Sequence, residues 1–371
     1  MRIAFFVPRC TPDNSHGRYV IELAQRMAGR HEVEVFAGAV WAPLRRDVRC
    51  RWLPVPNRPT VLRLASLWPA SIALTWQRRF DIVHTQGADA PVGNVILAPC
   101  CNAALQGIVS GPKPPWARAT TALGIALERR CLTKPQAGRI IAVSRKVKRD
   151  VEEHYGVAGA KLAVIPYGIN VDQFHPRNTT RWREVVRARH GLGPDRFVIV
   201  YVGGNYRLKG FLPLVEAVAH LDRRTAILAV GIVPDRGLVR CLEQARVADR
   251  VIFPGARVDV APYYAAADCF VLPTLYDTFS MATMEAMASG LPVIVSNEAG
   301  ISELLTDGRD ALILEDPSDR EGLRETIARL MTSESLRRDL GAAARRTAEQ
   351  YSWDQIVDRT LDVYQTVLAA A

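Results

Sequence analysis

Two successive series of short apolar strands alternating with helical stretches constrain this chain more than any other feature. Runs of Val, Ile and Phe stand at 3–7 (IAFFV), 32–36 (EVEVF), 81–85 (DIVHT), 139–143 (RIIAV) and 162–166 (LAVIP). Short buried strands separated by amphipathic helices call for a parallel sheet covered on both faces, the doubly wound α/β arrangement. The stretch from Arg18 to Arg30 supplies the first helix, with Val20, Leu23, Ala24 and Met27 on one face at helical spacing. The rhythm then restarts: FVIVYVGG (197–204), AILAVG (226–231), VIFPG (251–255), CFVLP (269–273), PVIVS (292–296) and ALIL (311–314) are six further strands. Between the series lies PYGINVDQFHPRNTTRW, rich in Pro, Gly and Asn and without periodicity, as a linker is. At about 150 residues per domain, 371 residues suit two domains. The expected division is 1–176, 177–350 and a terminal helix, 351–371, whose Ile356, Thr360, Val363 and Val367 form one apolar face that needs a surface to dock on.

The net charge of +10 is uneven: residues 1–176 hold 24 Lys and Arg against 12 Asp and Glu, while the remainder holds 24 against 26. All of the basicity therefore sits in the first half, which implies an anionic partner there. No basic stripe interleaved with aromatics is present, so nucleic acid is set aside in favour of an anionic membrane surface or acceptor. The segment Val61 to Arg79, with Trp68, Trp76, Arg78 and Arg79, reads either as an interfacial helix or as an ordinary core helix, and Trp116 to Arg130 shares that ambiguity. No uninterrupted apolar window is long enough to span a bilayer, and the amino-terminal run stops at Pro8, so it reads as a strand rather than a signal peptide. Seven cysteines, with no C-x-x-C pair, read as reduced thiols of a cytoplasmic chain and form no metal site.

Two stretches carry chemistry. In GGNYRLKGF (203–211) Gly203 and Gly204 follow a strand, and Arg207 and Lys209 precede a helix, which places cations where a diphosphate meets the positive end of a helix. In YDTFSMATMEAMASGLPVI (276–294) Asp277 and Glu285 are separated by seven residues across a turn that opens a helix. The amides of Phe279, Ser280 and Met281 are expected as unpaired donors suited to phosphate oxygens. Asp277 suits sugar hydroxyls and Glu285 suits ribose hydroxyls.

The second stretch resembles the acidic-seven-acidic signature of the retaining family 4 glycosyltransferases of GT-B fold (glycosyltransferases group 1), with EAMASGLPVI standing from Glu285 to Ile294. Asp277 departs from the Glu usual at the first acid, which bears on donor identity. VSRKVKRDVEEHYGV (143–157), KLAVIPYGINVDQFHP (161–176), GARVDVAPYYAAADCFVLP (255–273) and YSWDQIVDRTLDVY near the end extend the resemblance over nearly the whole chain.

The resemblance implies two Rossmann-like domains facing an interdomain cleft, the first acceptor-binding and the second nucleotide-sugar-binding, with the terminal helix crossing back to the first. It implies that Arg207 and Lys209 hold the donor diphosphate, Glu285 the ribose, Asp277 and the following turn the sugar, and the backbone at Arg257 and Val258 the base. Cations at the diphosphate then stand in for a metal, with no protein nucleophile and no cofactor beyond the nucleotide sugar. In the first domain the relatives' two-glycine loop reads CTPDNSHGRYV here. Gly17 and Arg18 either touch donor phosphate or acceptor, or form a plain turn; His84 is either acceptor-binding or structural. The implied activity is transfer of a hexose-type sugar, with retention, to a cell-envelope saccharide or glycolipid at the inner face of the membrane. The alternatives are a sugar-nucleotide epimerase and a non-catalytic nucleotide-binding scaffold.

Overall fold

The computed structural model describes residues 1–41, 43–44, 48–54, 60–108, 114–134 and 137–370, with the side chains of 60–65 outside that description. The chain divides into two compact units, Met1–Gly168 with Trp353–Ala371, and Ile169–Ser352.

The first unit holds β1 (Arg2–Cys10), β2 (Glu32–Val40), β3 (Arg49–Trp52), β4 (Ile82–Gln86), β5 (Val95–Ala98), β6 (Arg139–Ala142) and β7 (Leu162–Val164). They form one sheet in the order β3-β2-β1-β4-β5-β6-β7, with every pairing parallel. β3 and β5 add two strands to the five read from the sequence. β3 is an exposed edge strand of sequence RCRW without an apolar run, and β5 is the short buried run VILA. The second unit holds β8 (Phe197–Val202), β9 (Thr225–Val230), β10 (Val251–Gly255), β11 (Cys269–Leu272), β12 (Val293–Ser296) and β13 (Leu312–Leu314), in the order β10-β9-β8-β11-β12-β13, also parallel. These are the six strands the second apolar series predicts.

In each sheet the strand order reverses direction once, between β1 and β4 in the first unit and between β8 and β11 in the second. Because all strands run the same way, the loops that follow these four strands open at their carboxyl edges, the place where doubly wound sheets take ligands.

The first helix, Ser15–Met27, begins three residues earlier than its apolar spacing suggests. Asn14 accounts for the difference: its side chain accepts the Gly17 amide at 2.7 Å and caps the helix start. The helix Trp353–Ala369 belongs to the first unit and buries the predicted face of Ile356, Thr360, Val363 and Val367, together with Tyr364. Arg26 pairs with Asp354 at 2.8 Å, and Trp353 meets Tyr19 edge-on at 6.1 Å.

The division falls at Gly168/Ile169 and Ser352/Trp353 rather than at 176/177 and 350/351. Residues 169–176 pack on the second unit, which explains the shift. The Ile169 amide donates to the Tyr351 carbonyl at 2.9 Å, and Arg345 donates to the carbonyls of Val171 (3.1 Å) and Phe174 (2.7 Å). Phe174 is buried against Tyr264.

The helix Thr60–Gln77 is a core helix on one side: Leu67 and Ser71 are buried, and Trp68 donates its indole N–H to the Ala88 carbonyl at 2.9 Å. Its Trp76 is 89% exposed. No helix among the described residues is long and apolar enough to cross a membrane.

Candidate functional site

The two motifs of the second unit meet at the β8/β11 edge. After β8 the chain turns through Gly203 and Gly204 and enters the helix Phe211–Ala219 at Gly210. Gly210 has φ +72°, and a Cβ there would lie 1.7 Å from the Pro273 carbonyl oxygen, so only glycine lets this loop press against the end of β11. Thr274 and Leu275 clamp the contact: the Thr274 hydroxyl donates to the Leu208 carbonyl at 3.0 Å and the Leu275 amide to the same carbonyl at 2.9 Å. Lys209 is thereby brought onto the carboxylate of Asp277, with which it forms an ion pair.

Asp277 is 8% exposed and accepts from the Phe279 amide at 3.3 Å. One sequence expectation is corrected here. The Phe279 amide is not an unpaired donor, because the short side chain of Asp277 folds back onto it. The next two amides, of Ser280 and Met281, have no partner among the described residues. Ser280 caps the helix Met281–Ala288 with φ +82°, a conformation a non-glycine residue rarely adopts and one often found where a loop is shaped for a ligand. Within that helix Glu285 is buried, and the Tyr264 hydroxyl lies 3.0 Å from its carboxylate.

Arg207 is exposed, with its guanidinium 5.2 Å over the ring of Tyr206, whose hydroxyl donates to Asp235 at 3.0 Å. The Leu238 amide and then the Tyr206 hydroxyl hold the Asp235 carboxyl below its usual range, and the charge of Arg207 adds to this. Arg257 and Val258 lie exposed on the loop after β10, at the same edge of the sheet, and make no hydrogen bond to Lys209, Asp277 or Glu285. Tyr201, Tyr264, Thr274 and Asp235 were not legible as site residues. The fully buried Tyr201 hydroxyl has no partner among the described residues, and burial together with the charge of Asp277 pushes its phenol up.

At the β1/β4 edge of the first unit the arrangement differs. The amides of Gly17 and Arg18 are already taken: the first donates to the Asn14 side chain and the second to its carbonyl at 3.0 Å. What Gly17 supplies is space, since a Cβ there would lie 2.3 Å from the Thr11 carbonyl oxygen. His84 is 1% exposed, hydrogen-bonded through Nδ1 to the Tyr364 hydroxyl at 2.6 Å and enclosed by the rings of Phe5, Tyr19 and Tyr364. Burial lowers it to about 3, which keeps the imidazole neutral, and its Nε2 is buried without a partner among the described residues.

The residue that does reach the edge from β4 is Gln86. Its side-chain amide donates to the His16 carbonyl at 3.1 Å, while its Oε1 is buried without a partner among the described residues. Gln86 and His16 open onto a cavity of about 590 Å³ bounded by the ends of β4 and β5 and by the helices Asn102–Ile108 and Pro115–Thr133. On its far wall the buried Glu128 accepts from the Asn102 amide (2.8 Å), the Asn102 side chain (3.0 Å) and the Tyr155 hydroxyl. Burial pushes the Glu128 carboxyl up, against the pull of these donors. Its helix reads in the sequence as core or interface, which is why Glu128 went unnoticed.

Among the described residues no group of His, Cys, Asp and Glu is placed to hold a metal, and the described cysteines are free thiols.

The family model for Glycosyltransferase Family 4 matches residues 16–173, and that for Glycosyl transferases group 1 matches 196–333. A D-inositol 3-phosphate glycosyltransferase of Xylanimonas cellulosilytica is 30% identical over 77% of this chain and 67% of its own length. Another, of Streptomyces bingchenggensis, is 30% identical over 62% of this chain; there the match spans about half of the relative, 52%. Among solved structures, WaaG, a glycosyltransferase involved in lipopolysaccharide biosynthesis, superposes with a TM-score of 0.84 at 22% identity, over 97% of this chain and 99% of WaaG. Anabaena Alr3699/HepE in complex with UDP-glucose gives 0.76 at 18% identity, over 98% and 99%. At these identities the structures establish the GT-B fold.

Proposed function

The chain belongs to the group 1, family 4 glycosyltransferases, and from that premise we propose that it transfers a hexose-type sugar from a nucleotide-diphosphate sugar to a cell-envelope saccharide or glycolipid acceptor, with retention of configuration and without a metal. The observation that carries this reading is the meeting of Lys209 with Asp277 beside the open amides of Ser280 and Met281 at the β8/β11 edge. Cations and helix-start amides suit a diphosphate leaving group, where they stabilise negative charge as it develops. Glu285, held by Tyr264, is placed further along the same helix as an acceptor of ribose hydroxyls. In this reading Lys209 exchanges part of its contact with Asp277 for the diphosphate, which frees the Asp277 carboxylate for a sugar hydroxyl. UDP-glucose in the HepE complex supports a nucleotide sugar as donor. The basic first half supports work at an anionic membrane surface on the cytoplasmic side.

The relatives' names favour a second acceptor, D-inositol 3-phosphate. Thermal-shift and calorimetric titration with UDP, GDP, ADP and their sugar conjugates tests the donor assignment, since a ligand of the native state raises apparent stability. A selective response that disappears in Glu285→Ala is expected; silence across the panel from folded protein refutes it. Activity is expected to be unchanged in EDTA, and strong inhibition reversed by Mg²⁺ refutes the metal-free mechanism.

A further inference from the structure

We propose that the cavity at the carboxyl ends of β4 and β5 receives the acceptor as an uncharged, hydroxyl-rich ring and selects against acceptors that carry a phosphate at this point. The proposal rests on the glycosyl-transfer reading above and names the substrate class of its acceptor site.

Three observations support it. First, the lining contains two carboxylates, Asp89 and Glu128, both buried, and no Lys or Arg among the described residues. This stands out in a half-chain whose 24 basic residues outnumber its acids two to one. A phosphate entering here would meet like charge in a poorly solvated site, a juxtaposition that disfavours binding. Second, the lining offers hydrogen-bond acceptors. The Oε1 of Gln86 is buried with nothing to accept from, and its rotamer is held by the donation from the same side chain to the His16 carbonyl. Glu128 takes three donors, which leaves carboxylate lone-pair capacity. The threonines at the rim point their protons inward to their own helix, Thr120 to the Trp116 carbonyl at 2.8 Å and Thr121 to the Ala117 carbonyl at 2.9 Å, so their oxygens also face outward as acceptors. A site rich in acceptors matches a ligand rich in O–H donors. Third, Trp116 lines the rim and is 74% exposed, offering a ring face of the kind that covers the C–H face of a sugar.

Burial of an unpaired Gln86 oxygen is the cost a binding site bears when its partner arrives with the ligand. It explains why an amide stands at the end of β4, where a hydrophobic residue would pack without loss.

The test is ligand-observed saturation-transfer NMR on the full chain with matched pairs, myo-inositol against D-inositol 3-phosphate and methyl glucoside against glucose 6-phosphate, each with and without the nucleotide that the donor panel selects. The uncharged member of each pair is expected to bind at least about tenfold more tightly, a difference of about 1.4 kcal/mol. Gln86→Ala is expected to erase its signal, and Thr120→Lys to move the preference toward the phosphorylated member. Equal or tighter binding of the phosphorylated members by the unaltered protein overturns the proposal, as does absence of binding by both members at millimolar concentration. Nucleotide binding is read in the same samples. Its loss alone would refute the donor assignment and leave the acceptor result standing, so the two failures are separable.

Discussion

The carboxyl edges of the two parallel sheets in this chain carry opposite electrostatics. At the β8/β11 edge the loops are pinned to each other by Lys209 on Asp277 and by Thr274 and Leu275 on Leu208, and cations and unpaired amides are on offer. In the first unit the segments after β4 and β5, with His16 from the first helix, enclose a cavity whose charged lining is acidic. The distribution runs against bulk charge. The half with net +12 holds the acidic cavity, and the half with net −2 holds the cations suited to a diphosphate. Net charge of a domain describes its outer surface and long-range field, whereas a site is set by the few side chains that the backbone aims inward.

The sharpest way to break the comparison is to remove the cation on the donor side. Lys209→Ala and Glu285→Ala are each expected to lower transfer by roughly 10²–10³-fold with the far-UV circular dichroism unchanged. Near-normal turnover in either would mean that this edge is not the donor site. Lys209→Ala also strands the buried Asp277 carboxylate. The double variant Lys209→Ala/Asp277→Asn is therefore expected to recover about 1–2 kcal/mol of stability while activity stays lost, separating fold from chemistry in one cycle.

Next in size are the two glycines that let the loops close. Gly210→Ala combines a positive φ with a Cβ 1.7 Å from a carbonyl oxygen, and is expected to cost about 4 kcal/mol or more. Gly17→Ala meets a backbone oxygen at 2.3 Å without the φ penalty, and about 2–3 kcal/mol is expected. Urea denaturation ranks them, and the reverse order would mean that the first-unit loop is the stiffer of the two.

A smaller effect separates the two readings of His84. A histidine lowered from 6.5 to about 3 binds no proton in the folded state until the pH nears that value, whereas the unfolded chain takes one up below 6.5. Its contribution is therefore fully present above pH 6.5 and is lost as the pH falls toward 3, at about 1.4 kcal/mol per pH unit. His84→Phe is expected to flatten that part of the stability curve and to leave the acceptor KM unaltered. A large rise in KM would instead restore His84 to the acceptor site. The smallest expected change is in Trp116→Ala, roughly a threefold to tenfold rise in acceptor KM with kcat held, as the loss of one stacking face implies. An unchanged KM would take the aromatic rim out of the acceptor site.

How much of this was legible differs between the units for a physical reason. In the second unit the site is written in two contiguous stretches, 203–211 and 276–294, each tied to the end of one strand. All six strands there stand out as short apolar runs, and the ion pair joins Lys209 and Asp277, one residue from each stretch. In the first unit the proposed site draws on His16, Gln86, Asn102 and Glu128, with Tyr155 behind Glu128, which five separate segments deliver. His84 has the chemistry of a ligand-binding residue and stands two positions before Gln86. Both are buried, but His84 packs among the rings of Phe5, Tyr19 and Tyr364, whereas Gln86, the last residue of β4, lines the cavity.

The sequence by itself determined the two parallel sheets, the family, the terminal helix with its buried face and the two stretches that meet at the β8/β11 edge, because those follow from short-range periodicity and from motifs read along one strand–loop–helix unit. Tertiary structure alone decided that Lys209 rests on Asp277, that the Phe279 amide is already taken, that residues 169–176 belong with the second unit and that Glu128 stands in a cavity wall. Each of these depends on which distant segments the sheet order brings side by side, and on which side chains that packing strips of water.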